Sequence, residues 1–233
     1  MGGQGAPLVP IFDHAFLKGS VDRIALNIGG MANITLLPTD GSIDSLRAFD
    51  TGPGNILIDA ACRFTFGKRF DEGGMFARAG KVIDELFDAM KTHPFFADEP
   101  PKSTGREQFN DTLVETLHNR YVQQALPAED FIATMTEVTA WSIADHVQRY
   151  QPSTRELIVS GGGVHNSFLL ERLRSHLPDV SIRSSSEVGI DPDAKEAMCF
   201  AYLAWLTLMR RLGNVPSVTG ARASAILGSI AAP

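Results

Sequence analysis

The sequence predicts an α/β domain, with a mixed β-sheet flanked by helices. Three observations carry the prediction. Three strand-like segments follow one another within the first fifty residues, a strand–loop–helix–strand unit spans roughly 155–185, and amphipathic helical stretches lie between and after them. At 233 residues the chain is long enough to bury a substantial core.

The first strand is read in "DRIALNIGG". "MANITLLP" is a second, turned back through Gly29-Gly30. A turn signal at Asp40 to Ser42 precedes the third, "IDSLRAFD", so that Asp50 falls at its end. "TGPGN" then leads into a helix, "ILIDAACRFTFG". Residues 92–111 are rich in Pro, Gly and polar side chains and read as a long loop, a length usually tied to function or mobility. "PAEDFIATMTEVTAWSIADHVQRY" is an amphipathic helix whose stripe of Phe131, Met135, Val138 and Trp141 or Ser142 reads as core. In the later unit the strand is Leu157 to Ser160 and the loop Gly161-Gly162-Gly163. The helix runs from Asn166 to Leu177, carries Phe168, Leu169, Leu173 and Leu177, and is stopped by Pro178. The most apolar run, Ala197 to Met209, is too short to span a membrane and reads as a buried helix. Asp191 or Asp193 is positioned to cap it, with Glu196 in its first turns.

Composition narrows the function. The formal net charge of -6 leaves no basic footprint for nucleic acid. Cys62 and Cys199 lie far apart in sequence and form no CxxC pair, which points to a reduced, cytoplasmic setting. Six scattered histidines make no HxxxH or HExxH pattern, so no metal site is expected. The first residues lack the basic and apolar regions of a signal peptide.

The chemical signal lies in the glycine-rich loops. Glycine lets backbone N–H groups approach an anion closely and permits positive φ. Each loop also has a plainer explanation. Gly29-Gly30 serves a hairpin turn, and Asn55 serves as a helix cap. The triple glycine serves close helix-on-sheet packing, and it fits neither GxGxxG nor GxxxxGK[ST]. His165 beside that loop is placed to contact a ligand or to pack at the loop edge, and Glu196 is either a charge favoured by the helix dipole or one that faces a cleft at that helix end.

Taken together, "GGQGAPLVP", "LNIGGMANIT", "FDTGPGN", "PKSTGREQFN", "VSGGGVHN" and "DAKEAMCFAYLA" resemble, in order and over essentially the whole chain, the anhydro-N-acetylmuramic acid kinase family. The resemblance implies a ribonuclease-H-like lobe of the actin, hexokinase and heat-shock-chaperone superfold, in which two lobes bind ATP between them. Asn27, Gly29, Gly30 and Asn33 would then form a phosphate loop. Gly161, Gly162, Gly163 and Asn166 would form the adenosine motif. Asp50 matches the catalytic aspartate, and Glu196 a glutamate that holds the sugar. The implied reaction consumes ATP with Mg²⁺. It converts 1,6-anhydro-N-acetylmuramic acid and water to N-acetylmuramic acid 6-phosphate in cytoplasmic peptidoglycan recycling. Small molecules are the expected partners, with no nucleic acid or membrane, and the full-length protein is expected to be a homodimer. Family members also carry an upstream lobe with a first phosphate loop and a His-Gly-Gln-Thr motif. Residues 1–233 therefore read as the C-terminal lobe, expected to fold, to be inactive alone and to leave Phe200 to Leu208 bare. The rival readings are a nucleotide-binding module without catalysis and another sugar or acetate kinase of the superfold.

Overall fold

A computed structural model describes residues 2–3, 5–121 and 126–231. Five strands form one sheet in the order β3-β2-β1-β4-β5. They are β1 (Arg23–Ile28), β2 (Met31–Leu37), β3 (Arg47–Pro53), β4 (Glu156–Ser160) and β5 (Ser181–Ser184). The first three are an antiparallel meander, and β4 and β5 add in parallel beside β1. The mixed sheet is thus the predicted meander joined to the predicted βαβ unit.

Alternation along the strands sets the layers. Ile24, Leu26 and Ile28 of β1, Ile34 and Leu36 of β2, and Leu157 and Val159 of β4 enter one apolar cluster. That cluster is closed by α2 (Ile56–Phe66), α3 (Met75–Ala79), α4 (Asp84–Lys91), α5 (Asp111–Tyr121), α6 (Ala128–Tyr150) and α7 (Ser167–His176). Ala25, Leu37 and Ile158 face the other way, towards α1 (Val9–Leu17), α8 (Lys195–Leu208) and α9 (Pro216–Thr219). Helix α6 is the central support, with every residue from 131 to 140 buried. Full burial of a side chain such as Phe131, Met135 or Val138 contributes about 1.5–3 kcal/mol. The Thr139 hydroxyl of α6 donates to Gly54 O at 2.8 Å and fixes the turn that leads into α2.

Four expectations need correction. The third strand does not begin at Ile43, because Ile43–Ser45 is a 3₁₀ turn. The strand runs on to Pro53 because Gly52 takes φ 136° and pairs with Ala32 beyond a bulge. Asp50 therefore lies within β3 rather than at its end. Helix α8 is two-faced, not buried: Cys199, Leu203 and Leu206 point inward, while Phe200, Trp205 and Leu208 are exposed. That exposure is what was expected of the Phe200 to Leu208 surface. Neither aspartate caps α8. Ala194 occupies the N-cap position without a side-chain bond, Asp191 Oδ1 accepts from Asp193 N–H, and Asp193 turns to His165. Asn55 sits at the α2 N-cap position but makes no capping bond there, and its Nδ2 donates instead to Ile28 O at 3.4 Å. Helices α1, α3, α4, α5 and α9 were not anticipated.

Candidate functional site

The sheet register assembles a polar row. Asp50 pairs with Asn33, Asn33 with Asn27, and Asn27 with Ser160. Cross-strand partners share a face, so four polar residues from four strands line up at one end of the sheet. Asn27, Asn33 and Asp50 line a cavity of about 430 Å³ together with Gly29, Gly161, Gly162, Thr35, Lys195 and Glu196. The asparagines around Gly29-Gly30 thus belong to a cavity wall, not to turn chemistry.

The glycines divide into two kinds. Gly161 needs to be glycine: it holds φ 80° and ψ 173°, and a Cβ would lie 2.7 Å from Asn27 Oδ1 and 2.8 Å from Ile28 O. Gly163 is buried, and its Cβ would meet Ile28 Cγ2 at 2.3 Å. The packing explanation therefore holds for these two. It fails for the others. A Cβ on Gly30 would meet nothing within 4 Å, and one on Gly162 only Asn55 Nδ2 at 3.9 Å. On Gly29 the nearest atoms would be Met31 O at 3.6 Å and Asn27 Nδ2 at 3.7 Å, ordinary contacts. None of the three has a left-handed φ, although the two-residue hairpin turns that favour glycine do. The Gly29 and Gly30 carbonyls accept from Asn55, Gly54 and Ile56 N–H at 2.8–3.1 Å, which locks the hairpin against the start of α2. Gly30 N–H donates to no acceptor among the described residues.

Asp50 is held from outside the sheet. Its N–H donates to Lys102 O at 3.2 Å, and its Oδ2 accepts from Thr104 N–H at 2.8 Å. Both partners belong to the long loop predicted at 92–111. Burial raises the Asp50 pKa above the usual carboxylate value, the Thr104 hydrogen bond opposes the rise, and the Glu107 charge adds to it. A carboxylate with a raised pKa in a cleft is a candidate proton acceptor.

Glu196 is exposed at the first turn of α8 and lines the same cavity. Its neighbour Lys195 is almost fully buried and lies 2.7 Å from Asp13 Oδ1 of α1, while Asp13 Oδ2 accepts from the Thr35 hydroxyl at 2.8 Å. Asp13 Oδ1 has no well-directed hydrogen bond, so the contact with Lys195 is an ion pair. This pair fixes the start of α8 against α1 and β2. A second cavity, about 720 Å³, is lined by Asn55, Asp59, Arg69, Glu72, His165 and Asn166, and it meets the first at Gly162. Burial raises the Asp59 pKa to about 6 against the pull of Arg63 and Arg69. Asn166 also caps α7, accepting from Leu169 N–H at 3.0 Å. His165 is exposed, as expected of a loop-edge residue, and its Nε2 lies 3.0 Å from Asp193 Oδ2.

The structure thus brings Asn27, Gly29, Asn33, Asp50, Gly161, Gly162 and Glu196 to one cavity. It places Asn166 in the adjoining one, leaves Gly30 exposed at the hairpin tip and puts Gly163 beneath Ile28. Sequence reading missed Asp13, Lys195 and Thr104. Two signals were available: a carboxylate inside the apolar "VPIFDHAFL", and a lysine at a helix start, where the dipole disfavours it.

A β-meander joined to a βαβ unit, with glycine loops gathered at one end of the sheet, defines a ribonuclease-H-like lobe of the actin-like ATPase fold. Two solved structures share it. One is (R)-2-hydroxyglutaryl-CoA dehydratase component A of Acidaminococcus fermentans, with TM-score 0.51 and 14% identity over 76% of this chain and 60% of that one. The other is the activator of the 2-hydroxyisocaproyl-CoA dehydratase from Clostridium difficile, solved with bound ADPNP, with TM-score 0.50 and 13% identity over 88% and 70%. Within that fold, residues 1–233 match the profile of the anhydro-N-acetylmuramic acid kinase family, and the chain belongs to this family. The anhydro-N-acetylmuramic acid kinase of Xanthomonas axonopodis pv. citri is 49% identical over 98% of this chain and 60% of its own length. That of Saccharophagus degradans is 47% identical over 100% and 62%. The chain thus spans about three-fifths of the length of these curated relatives.

Proposed function

We propose that this lobe supplies the nucleotide cradle and the catalytic base of an anhydro-N-acetylmuramic acid kinase. The observation that carries the reading is the set of glycines the fold does not require. A Cβ on Gly30 would meet open space and one on Gly29 or Gly162 only ordinary contacts, and close approach of a ligand to the backbone explains their bareness. ATP would cross at Gly162, its base in the larger cavity and its phosphates over Gly29, Gly30 and Asn27. The acceptor sugar would then meet Asp50 and Glu196. The ADPNP bound by the solved activator of the same fold is consistent with a nucleotide here.

In this reading Asp50 takes a proton from water as the water attacks the anomeric carbon of the 1,6-anhydro sugar. The bond from that carbon to O6 breaks, and O6 then attacks the γ-phosphorus of ATP, releasing ADP. The attack on an oxocarbenium-like centre needs an oriented carboxylate, while phosphoryl transfer needs mainly positioning and charge neutralisation. Among the described residues no group of three or more His, Cys, Asp or Glu is placed to hold a metal. A magnesium ion carried on the ATP phosphates needs only one or two protein carboxylates. When bound, it would neutralise phosphate charge, and Asp50, Asp193 and Glu196 are the carboxylates that line the phosphate-side cavity. The setting would be cytoplasmic peptidoglycan recycling, in a homodimer. No described helix is long and apolar enough to cross a membrane.

The test is calorimetric titration of Gly30→Val with ATP and Mg²⁺. Weaker binding at unchanged stability supports the cradle, and unchanged affinity leaves the hairpin as only a turn. A lobe that binds nucleotide without catalysing transfer is the second reading. The bareness of Gly30 and Gly162 fits it equally, and a turnover assay beside the titration separates the two readings.

A further inference from the structure

Asp50 lies on β3, the edge strand of the sheet, and one continuous segment closes over that edge. Residues 98–110 carry both of its partners there: Lys102 O accepts its N–H, and Thr104 N–H donates to its Oδ2. Each end of the segment is anchored in the core. At one end Phe95 and Phe96 are buried, and Arg149 donates to Phe96 O at 3.0 Å. At the other, Phe109 is fully buried. In between, Lys102 Nζ donates to Phe95 O at 3.0 Å and sits 4.5 Å from the centre of the Phe95 ring, folding the strap back on its own anchor. Pro100 and Pro101 restrict the approach to Lys102. The second carboxylate oxygen, Oδ1, has no partner among the described residues, and Asp50 lines the cavity.

We infer that residues 98–110 form a strap that positions Asp50, with the Thr104 N–H holding Oδ2 so that Oδ1 is left for the reacting proton. Thr104 is a positioning residue: it touches the base, not the substrate. The inference rests on the reading of Asp50 as the base. A carboxylate free to rotate would share its two oxygens between cavity and solvent, whereas one fixed through Oδ2 presents a single oxygen in a single direction. The bond also favours the ionised form and offsets part of the burial that raises the Asp50 pKa, as the Glu107 charge on the same strap does not.

The experiment is a pH titration by NMR of the whole chain. It follows the Asp50 carboxyl carbon and the backbone amide of Thr104 in the wild type and in Asp50→Asn. The Thr104 amide proton should titrate with the midpoint of the Asp50 carboxyl, and that titration should vanish in Asp50→Asn. A Thr104 amide that stays flat through the Asp50 midpoint overturns the inference. Thr104→Pro, which lacks the N–H, should raise the Asp50 midpoint by about one pH unit, a tenfold change in proton affinity. Thr104→Ala keeps the N–H and should leave the midpoint in place. A midpoint that moves in Thr104→Ala, or stays in Thr104→Pro, counts against the bond. If Thr104→Pro does not fold, the paired titration in the wild type decides alone. None of these readouts depends on turnover. Loss of the base role would show only in the activity of Asp50→Asn, whereas a flat Thr104 amide defeats the strap whatever that activity is.

Discussion

Replacing Gly30 and Gly161 separately should divide ligand binding from folding. At Gly161 an alanine would have to keep φ 80° with ψ 173°, a region open almost only to glycine, at a cost of about 1–3 kcal/mol. Its Cβ would press on Asn27 Oδ1 and the Ile28 carbonyl at 2.7 and 2.8 Å, which adds roughly another 1–3 kcal/mol. Gly161→Ala should therefore lose about 2–6 kcal/mol of stability, by the same two effects. At Gly30 an added Cβ meets nothing within 4 Å and the residue is exposed, so with valine stability should move by no more than about 0.5 kcal/mol. Its branched side chain would nonetheless stand over the Gly30 N–H, which donates to no acceptor among the described residues. A hydrogen bond to a charged phosphate is worth about 1.5–3 kcal/mol, so ATP affinity should fall roughly ten- to a hundredfold. Urea unfolding and calorimetry on the two variants give both quantities. Equal losses of stability, or unchanged ATP affinity in Gly30→Val, would refute the division of the glycines.

Two further outcomes follow from buried charges. Glu137 of α6 is nearly buried, with its Oε2 2.7 Å from Arg172 Nε and its Oε1 2.8 Å from His176 Nε2. Burial opposes its ionisation, but the bonds to His176 and Arg172 prevail and hold its pKa down to about 2 from 4.5. A depressed carboxylate stabilises the fold above its unfolded pKa, and that contribution is lost as pH falls from about 4.5 through about 2, some 3 kcal/mol in all. Glu137→Gln should be less stable than wild type by about that amount near neutral pH in urea unfolding, and the gap should close across this window. A gap independent of pH would show that the ionised form is not what ties α6 to α7. Lys195→Met should cost about 3–5 kcal/mol in the same assay, because it strands the Asp13 carboxylate in the core, and Asp13→Asn in the same chain should restore part of the loss. A double variant no more stable than Lys195→Met would count against an uncompensated charge.

Much of this architecture is local in origin and so was legible in the sequence. The meander, the βαβ unit and the α6 stripe follow from two-residue and helical periodicities. The boundary of β3 was misplaced because it depends on pairing: Gly52 opposite Ala32 carries the strand through a bulge that no local preference announces. Helix α8 was misjudged because composition does not say how many sides of an apolar helix are covered. Asp50, Asn27, Asn33 and Glu196 could be nominated from the family resemblance, but their order across the sheet is a matter of register. The Thr104 bond and the Asp13–Lys195 pair join segments 54 and 182 residues apart, through a backbone donor in one case and buried charges in the other. Periodicity carries no trace of either.

The central claim is that Asp50 is the base of the reaction, and turnover in Asp50→Asn of the full-length protein measures it most directly. The swap is nearly isosteric, so the fold should persist by circular dichroism and urea unfolding. Formation of the sugar 6-phosphate from ATP and the 1,6-anhydro sugar, followed by mass spectrometry, should fall by two or more orders of magnitude from loss of a positioned base. Turnover in the folded Asn variant close to that of the parent protein would remove Asp50 from the mechanism.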